Sequence, residues 1–512
     1  LRPAPGLRRQ MASWEQGAAR VPGMLAPDRF HFLNEEHAVS SAEDWNNPAV
    51  ANLWLYNLHE FDGLNAEGAE TRRDWHMALF GRWIAENPVG FGNGWEPYPI
   101  SLRVVNWITW HLSVGELSKR AIQSLAVQVR FLGGRLEYHL LGNHLWANAK
   151  ALVFAGLFFD GPEADSWLRK GLELLGQEIP EQILTDGGHF ERSPMYHSIV
   201  LEDLLDLVNL YRVYGRPVPD GWLEGIERMR IWLAAMSHPD GRIALFNDAA
   251  FGIASEPEAL EAYARRLGFG ALSPCQGSVS HFPQTGYVRL EAGPAVAVLD
   301  VATIGPDYIP GHAHADTLNF ELSLFGQRLI VDTGTSTYEK NAERQRQRGT
   351  SAHNTVQVNG EDSSEVWGGF RVARRARPFG LDIVETAETV RVVCAHDGYR
   401  RLPGRPVHRR CWTLTQNSLT VEDRVEGAYR EAIARYHFHP DVRLTGADGV
   451  WIAALPRGGA ARIEVVAGEA SLQQSTWHPE FNRSLDNSCL WVALKEGTAT
   501  VRFVWHEDSV SH

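Results

Sequence analysis

Three residues of metal-ligand type stand at wide spacing in the second half of the chain. His314, Asp332 and His353 lie 18 and 21 residues apart, in segments whose pattern predicts successive β-strands. Two neutral imidazoles and one carboxylate suit Zn²⁺, which takes nitrogen, sulfur and carboxylate-oxygen ligands. We expect a zinc site that joins these strands and fixes the loop carrying His312. Three unrelated polar residues of a β-domain are the alternative.

Two polar clusters in the first half could act on a substrate. Asn143 and His144 stand at the start of an apolar helix, where Asn143 could also be a simple N-cap. Ser193-Pro194 is a strong helix start, which places Tyr196 in the first turn. Because the helix dipole favours negative charge there, we expect the phenol to ionise more readily than in free solution. A tyrosine that only packs at a helix end is the alternative.

These groups together fit proton abstraction at C5 of a uronic acid. The carbanion forms beside an ionised carboxylate, so donors must neutralise that carboxylate while a base and an acid act at C5 and O4. Asn143 can donate to the carboxylate. Tyr196 can remove the proton and return it to the leaving oxygen. His144 or His312 can add a donor, or serve as base for the other C5 epimer.

Two regions of different pattern must position these residues. From about Ala69 to Leu267 apolar residues recur at helical spacing, which predicts a helical toroid or bundle. After about Phe282 alternating residues predict an antiparallel β-sandwich, with a turn at Gly326-Gln327. The Gly/Ser/Pro-rich stretch Gly268 to Pro283 predicts the boundary, giving domains 1–270 and 271–512.

Composition excludes several classes of protein. The net charge of −13 argues against general nucleic-acid binding, and no apolar run is long enough for membrane insertion. Four scattered cysteines define neither a cluster nor a disulfide framework. We expect a signal peptide to be absent or already removed, which leaves periplasmic, secreted and cytoplasmic locations open. Twelve of the 18 tryptophans precede residue 270, where they could stack on sugars or form core.

The chain resembles the heparinase II/III family of polysaccharide lyases, which includes related alginate lyases. In the first half the resemblance rests on the segment from Trp95 to Trp107, on Asn143-His144, and on the segment from Arg192 to Tyr196. In the second half it rests on the motifs His312-Ala-His314-Ala-Asp316, Asp332-Thr-Gly-Thr and His353-Asn354-Thr. This long second series is the specific part of the match.

The resemblance implies an incomplete (α/α) toroid followed by an antiparallel β-sandwich, with the active site in the cleft between them. It implies Asn143 as carboxylate neutraliser, Tyr196 as base and acid and His312 as catalytic partner. His314, Asp332 and His353 would bind a structural metal. We further expect the anionic polymer to be bound by Tyr98, Arg103, Trp146, Arg192 and Arg348. The stretch Ser475 to Asn482 departs from the family pattern, which puts a substrate subsite there in doubt.

The function expected from the resemblance is β-elimination of a uronic-acid-containing polysaccharide. Heparan sulfate or its unsulfated precursor is the first choice of substrate, and alginate or a bacterial exopolysaccharide follows closely. A metal-dependent hydrolase that uses the His/Asp residues is a second hypothesis, because three protein ligands leave one position for water. A sugar-binding or scaffolding protein without catalysis is a third. Oligomeric state is left open by the sequence.

Overall fold

The computed structural model describes residues 2–272 and 277–505, in which the chain divides into two compact units. The first unit is built from the described residues of Leu1–Ile183, Ser198–Glu227 and Glu258–Ala271. The second is built from those of Leu184–His197, Arg228–Pro257 and Leu272–His512. Two segments that precede the predicted boundary therefore pack in the second unit. Cys275 and part of the predicted boundary stretch lie outside the described residues.

Ten α-helices occur in the described residues, nine of them before residue 270. Their bounds are α1 Asn52–Glu60, α2 Arg73–Glu86, α3 Pro97–Ser113, α4 Lys119–Gly133, α5 Gly142–Phe158, α6 Pro162–Gln182, α7 Pro194–Val213, α8 Trp222–Ala235, α9 Pro257–Arg266 and α10 Ala342–Arg348. This confirms the helical first half. Prolines in the first turns of α3, α6, α7 and α9 explain several starts, since the missing N–H is not needed there.

The core of the first unit is aromatic. Trp107 is fully buried, and its ring centroid lies 4.8 Å from Phe80, 5.6 Å from Phe61 and 5.7 Å from Trp83. Nearly all tryptophans before residue 270 are buried in this way. Packing therefore accounts for the high tryptophan content of this region without sugar binding.

The first three strands along the chain are short and lie in the first unit; the others lie in the second unit and dominate it. The bounds are β1 Met24–Ala26, β2 Arg29–Phe32, β3 Glu35–Ala38, β4 Val279–Phe282, β5 Tyr287–Ala292, β6 Ala295–Asp300, β7 Phe320–Leu324, β8 Gln327–Ile330, β9 Val356–Val358, β10 Val366–Trp367, β11 Arg371–Val372, β12 Pro378–Glu385, β13 Thr389–His396, β14 Val407–Thr415, β15 Ser418–Glu426, β16 Ala432–His437, β17 Arg443–Ala447, β18 Val450–Ala454, β19 Ala460–Ala467, β20 Glu469–Trp477, β21 Leu485–Ala493 and β22 Thr498–Trp505.

The sheets of the second unit are antiparallel, as expected. Their strand orders are β4-β5-β6-β7-β8, β20-β21-β16-β9, β12-β13-β14-β15-β22-β19-β18-β17 and the short pair β10-β11. One apolar cluster draws on all three large sheets, including Leu322 of β7, Tyr436 of β16 and Trp412 of β14. The sheets thus share a core, which is the arrangement of a sandwich.

The predicted turn between β7 and β8 lies one residue earlier than expected. Phe325 and Gly326 carry φ angles of 51° and 72°, so they are the two central residues of the hairpin turn. The alternating sequence of β7 is typical of a strand with one exposed face, but both faces of β7 are buried. Glu321 and Ser323 are buried together with the apolar residues. His238 bonds to both, at 2.7 Å each. The segment 228–257 therefore covers the polar face of this strand with matching polar groups.

Among the described residues, no helix combines the length and the apolar character that crossing a bilayer requires.

Two buried histidines of the first unit are held neutral by tryptophan donors. The indole N–H of Trp83 donates to Nδ1 of His59, and that of Trp110 donates to Nδ1 of His76, each at 3.0 Å. Burial lowers the pKa of His59 to about 3, and the Arg103 charge adds to this. Burial also lowers the pKa of His76 to about 4, with a contribution from Arg72.

We predict that the first unit loses stability as pH falls from about 6.5 toward 4. In that window His59 and His76 bind protons in the unfolded chain but stay neutral in the folded one, so unfolding is favoured. Above about pH 6.5 both histidines are neutral in both states, and their full contribution to stability is present. Thermal unfolding followed across this range should show a falling midpoint. His59→Gln should flatten the dependence, whereas the exposed control His139→Gln should not. An unchanged slope in His59→Gln would contradict the assignment.

Candidate active site

Tyr196 stands where the sequence predicts, in the first turn of α7. The helix begins at Pro194, and Ser193 Oγ accepts a hydrogen bond from the Tyr196 N–H at 3.3 Å. Ser193 Oγ also donates to the Asp248 carbonyl at 2.6 Å. The predicted Ser-Pro helix start is therefore confirmed, and it ties the Tyr196 turn to the segment that carries Asp248.

The expectation that Tyr196 ionises readily is wrong. Its side chain is buried, and burial raises the pKa of the phenol well above its usual value, with further increases from Tyr338 and Asp248. The two phenol oxygens of Tyr196 and Tyr338 share a hydrogen bond of 3.1 Å. Loss of water and nearby negative charge outweigh the helix dipole, which is a smaller effect. Tyr196 is therefore a neutral phenol in this structure.

Asp248 is the hub of the cluster around Tyr196. Its fully buried carboxylate accepts hydrogen bonds from both terminal nitrogens of Arg344, one of them at 2.6 Å. It also accepts from His312 Nδ1 and His314 Nε2, each at 2.8 Å. Burial opposes ionisation, but Arg344 and the two imidazoles hold the pKa of Asp248 well below its usual range. The carboxylate is thus ionised, and both histidines act as its donors.

The His312 ring contacts Tyr196, and its second nitrogen lies near Glu191. Because Nδ1 bonds to Asp248, Nε2 is the ring nitrogen available to a substrate. The His312 ring packs on Tyr196 at a tilt, with centroids 4.1 Å apart and an interplanar angle of 36°. Glu191 Oε2 lies 3.7 Å from His312 Nε2. The structure therefore brings the predicted residues Tyr196 and His312 into contact.

Asn143 and His144 lie in the first turn of α5 in the first unit. The cap of α5 is Leu141, with φ 58°, so the N-cap interpretation of Asn143 is wrong. No hydrogen bond engages the Asn143 amide within the described residues. His144 Nδ1 bonds to Glu137 Oε1 at 3.0 Å, and the His144 ring packs on Tyr98 with centroids 4.6 Å apart. Predicted residues Tyr98, Asn143 and His144 thus form one polar group in this unit.

A second buried group in the second unit could hold a metal ion. Ligand atoms of Asp316, Asp332 and His353 all lie within 4.8 Å of one another, and the three residues are buried. The His314 and His353 rings are 5.3 Å apart. Two of the three predicted ligands therefore belong to this group, and Asp316 joins them. His314 lies beside it, with Nε2 on Asp248.

Lone pairs without partners support a cation in this group. Nδ1 of His314, Nε2 of His353 and Oδ2 of Asp316 are buried without hydrogen-bond partners among the described residues. Each such atom costs about 1–3 kcal/mol if left unsatisfied, so three together require an explanation. In each imidazole the other nitrogen donates to a carboxylate, His314 to Asp248 and His353 to Asp332 at 2.8 Å. Carboxylates orient metal-binding histidines in this way. The residues therefore fit a metal ion.

The charges in this group are coupled. Burial opposes ionisation of Asp332, but His353 holds its pKa below the usual range. Burial raises the pKa of Asp316 to about 7, and neighbouring Asp332 adds to the increase. Burial lowers the pKa of His314 to about 4, so that ring is neutral. A divalent cation would relieve the repulsion between the two carboxylates.

Gly334 and Asn354, two residues of the sequence motifs, have local structural roles. Gly334 has φ 74°, and a Cβ atom there would lie 2.2 Å from the carbonyl oxygen of His478, so only glycine fits. Its N–H donates to Asp332 Oδ1 at 3.0 Å. Asn354 donates to the carbonyls of Phe320 and Val331, each at 2.9 Å. These contacts hold Asp332 and His353 against β7 and β8.

The structure does not support a substrate-binding role for three of the predicted residues. Arg103 is fully buried and donates to Gln128 Oε1 at 2.8 Å and to the His59 carbonyl at 2.9 Å. Arg348 is also fully buried, with its guanidinium on the Ala313 carbonyl. Trp146 is 1% exposed, and its indole N–H donates to Asp203 at 2.9 Å. Their hydrogen bonds go to interior groups, and only Arg348 Nη1 lacks a partner within the described residues, so these three predictions are corrected.

Tyr98 and Arg192, the other two residues predicted to contact the substrate, are partly exposed to solvent. Tyr98 is half-buried beside His144, and Arg192 is half-buried with its Nε donating to the Thr285 carbonyl at 3.0 Å. The arginine-rich run from Arg344 to Arg377 is largely paired internally. Its ion pairs include Arg374 with Glu365 and Arg375 with Asp307.

Sequence reasoning missed Asp248 and Tyr338. Asp248 lies in the apolar run Ala244–Phe251, and a lone carboxylate in such a run is a signal, since a buried aspartate requires partners. Those partners could not be identified because Arg344 is 96 residues away in the chain. Tyr338 carries no spacing signal at all.

Fold and site together define a class of protein with a helical first unit, an antiparallel sandwich and a buried His/Asp centre. The family description "Heparinase II/III N-terminus" matches residues 66–265, and "Heparinase II/III-like, C-terminal" matches residues 276–504. The two matches cover most of the chain, which belongs to the heparinase II/III family.

Several characterised proteins are similar in sequence. The heparin-sulfate lyase of Bacteroides stercoris is 25% identical over 357 residues, which are 65% of this chain and 51% of that protein. The chain spans about half of the length, or less, of the heparin-sulfate lyases it matches. FtsZ-localized protein C of Caulobacter vibrioides is 26% identical over 428 residues, covering 76% of this chain and 70% of that protein.

Solved structures confirm the predicted fold class of toroid plus sandwich. A heparinase III crystal structure aligns with a TM-score of 0.71 at 18% identity, covering 93% of this chain and 79% of that one. Chondroitin AC lyase of Streptomyces coelicolor A3 aligns with a TM-score of 0.51 at 13% identity, covering 94% and 77%. At these identities the likeness concerns the fold.

We predict that Gly334→Ala destabilises the second unit by about 2–4 kcal/mol, from left-handed strain and overpacking against His478. Gly326→Ala is the matched control, because its φ of 72° is similar but nothing lies within 4 Å of the added Cβ. The control should lose only about 1–2 kcal/mol. Urea unfolding of both variants measures the difference. Equal losses would show that the His478 contact is unimportant.

We also predict that His314→Ala releases the bound metal and lowers the melting temperature. His396→Ala serves as control, since His396 is a fully buried histidine of β13 that bonds to His408 at 3.2 Å. The control should be less stable than wild type but retain its metal. Elemental analysis and thermal unfolding, with and without chelator, measure both effects. A His314→Ala protein with wild-type metal content and melting would refute the site.

Proposed function

We propose that this protein is a polysaccharide lyase that cleaves a uronic-acid-containing glycosaminoglycan by β-elimination. The observation that carries the proposal is the pairing of neutral Tyr196 with His312 on the ionised Asp248–Arg344 pair. Family membership and the similarity to heparin-sulfate lyases add support. Unsulfated or lightly sulfated heparan sulfate is our first choice of substrate, and alginate and bacterial exopolysaccharides are the alternatives.

The hydrogen bonds of the site support one division of the steps. His312 Nε2 takes the C5 proton, because its Nδ1–H is held by Asp248. The C5–H electron pair forms the C4–C5 double bond as the C4–O4 bond breaks. Tyr196 gives its proton to O4, which its raised pKa makes possible at neutral pH. Proton return from His312 to the adjacent tyrosinate restores both groups. This assignment makes Tyr196 the acid and moves the role of base to His312.

Two further groups have proposed roles. From the family resemblance we propose Asn143 as the donor that neutralises the uronate carboxylate, with His144 as a further donor. The metal, which we propose to be zinc, would be held by His314, His353 and the two aspartates, and would link β8 to the segments that carry His312 and His353. Because these ligands are buried, a metal held by them would have little contact with solvent, as in a structural rather than a catalytic site. Burial therefore favours the lyase over the metal-dependent hydrolase.

We predict that Tyr196→Phe reduces turnover by at least about 100-fold while the fold is retained. Tyr399→Phe is the control, because it removes another fully buried phenol, one that donates to the Val356 carbonyl at 2.7 Å. Ultraviolet absorbance of the unsaturated uronate, recorded on a panel of glycosaminoglycans, alginates and exopolysaccharides, measures turnover. A Tyr196→Phe variant within a few-fold of wild type would refute the role.

Deuterium exchange distinguishes the residue that removes the C5 proton from the residue that protonates O4. In D₂O the Tyr196→Phe protein should still exchange the C5 proton of the substrate, detected by NMR, because His312 remains. Absence of exchange would assign proton removal to Tyr196 itself. Binding of polymers by the wild-type protein without any turnover would instead favour a non-catalytic protein.

A further inference from the structure

A polar pocket lies beside the Tyr196 cluster in the second unit. Its volume is about 490 Å³, and all eight residues that line it are polar. This volume is within the range of small-ligand sites. The pocket is formed by α10 on one side and by the loop after β20 on the other, the stretch that departs from the family pattern. Glu343 and Arg346 come from α10, Thr476 comes from the end of β20, and His478 and Arg483 come from the loop.

The pocket is connected to Tyr196 by direct contacts. The Asn482 N–H donates to the carbonyl of Ser336 at 2.9 Å, and Ser336 lines the pocket. Tyr338, two residues further along, is at most about 7 Å away along the backbone. Its ring packs edge-on against Phe481 with centroids 4.8 Å apart, and its hydroxyl bonds to Tyr196. The pocket and the Tyr196 cluster are therefore linked through Ser336 and Tyr338 within the second unit, as binding of adjoining sugars would require.

Each cation of the pocket is paired with a glutamate. Arg346 donates to both carboxylate oxygens of Glu343, at 2.9 and 2.5 Å, and Arg483 donates to Glu480 at 2.9 Å. Hydrogen bonds from Arg346 lower the pKa of Glu343 to about 2, so the carboxylate is ionised under ordinary conditions. The pocket thus lacks an unpaired cation of its own among the described residues.

Neutral donors and acceptors make up the rest of the lining. Thr476 Oγ1 accepts from Arg346 Nη2 at 2.9 Å. His478 Nε2 lies 2.8 Å from the same nitrogen, and burial lowers the pKa of His478. Glu343 and Arg346 are 42% and 38% exposed, so their outer atoms can meet a ligand. Such a lining matches the hydroxyl groups of a sugar, whereas a sulfate would face the Glu343 carboxylate.

We propose that this pocket binds the sugar next to the cleaved linkage and selects an unsulfated, hydroxyl-bearing ring over a sulfated one. The proposal rests on the proposed lyase function, since it places the pocket along the same polymer. Glu343 is the residue that determines the selection. It accepts from sugar hydroxyls and neutralises Arg346, which would otherwise attract sulfate.

The test compares Glu343→Gln with Glu365→Gln. Glu365 is a matched control, because Arg374 donates to both of its oxygens at 2.7 and 2.6 Å and lowers its pKa to about 2, away from the pocket. KM is measured for unsulfated and sulfated forms of one polymer. Glu343→Gln should lower the ratio of KM(sulfated) to KM(unsulfated) by about fivefold. Glu365→Gln should leave the ratio at the wild-type value.

Binding to the Tyr196→Phe protein gives a readout without turnover. Isothermal titration with unsulfated and sulfated heparosan oligosaccharides should show a preference for the unsulfated form that the added Glu343→Gln change reduces. A ratio unchanged by Glu343→Gln in both assays overturns the pocket assignment while leaving the lyase intact. Absence of turnover by wild type on every polymer, with the binding preference present, overturns the lyase and keeps the sugar site.

Discussion

The buried carboxylate of Asp248 is the constraint on which the candidate site depends. An unpaired charge in the protein interior costs several kcal/mol, so Asp248 has to draw donors to itself. It receives a two-point contact from Arg344, and further hydrogen bonds come from His312, His314 and Thr335. One residue thereby fixes the tautomers of two imidazoles. One of these rings packs on Tyr196, and the other has an Nδ1 without a partner among the described residues, beside the His/Asp group.

The same logic extends to the strands behind the site. Arg410 of β14 donates to the carbonyl of Leu318 at 2.9 Å and to that of Asn354, while Asp423 neutralises it with bonds of 2.7 and 2.9 Å. Leu318 has φ 66°, a strained conformation for a leucine. The Arg410–Asp423 pair therefore holds the backbone on both sides of the His/Asp group. A buried ion pair within the sandwich core thus stabilises the segments that carry the His/Asp group.

The sequence predicted the fold class well because helical periodicity and strand alternation are local signals. It also predicted that Tyr196 would lie at the start of a helix, since the Ser-Pro start is local too, whereas the role of His312 was implied by the family resemblance. The pKa of Tyr196 could not be predicted, because it depends on burial and on Tyr338, 142 residues away. Substrate contact by Arg103 and Arg348 is predicted wrongly for the same reason: nothing in a single sequence tells a buried arginine on backbone carbonyls from an exposed one. The grouping of Asp316 with Asp332 and His353 likewise depends on long-range packing.

The long sequence separations around Asp248 also bear on how the protein folds. His312 and Arg344 reach it across 64 and 96 residues, and contacts of this kind form late because chain closure must precede them. A nascent chain that ends before Arg344 would contain Tyr196, Asp248 and His312 but leave the buried carboxylate without its guanidinium. The geometry of the Asp248 cluster is thus a product of the completed second unit, so partly synthesised or partly folded chains would lack the proposed activity.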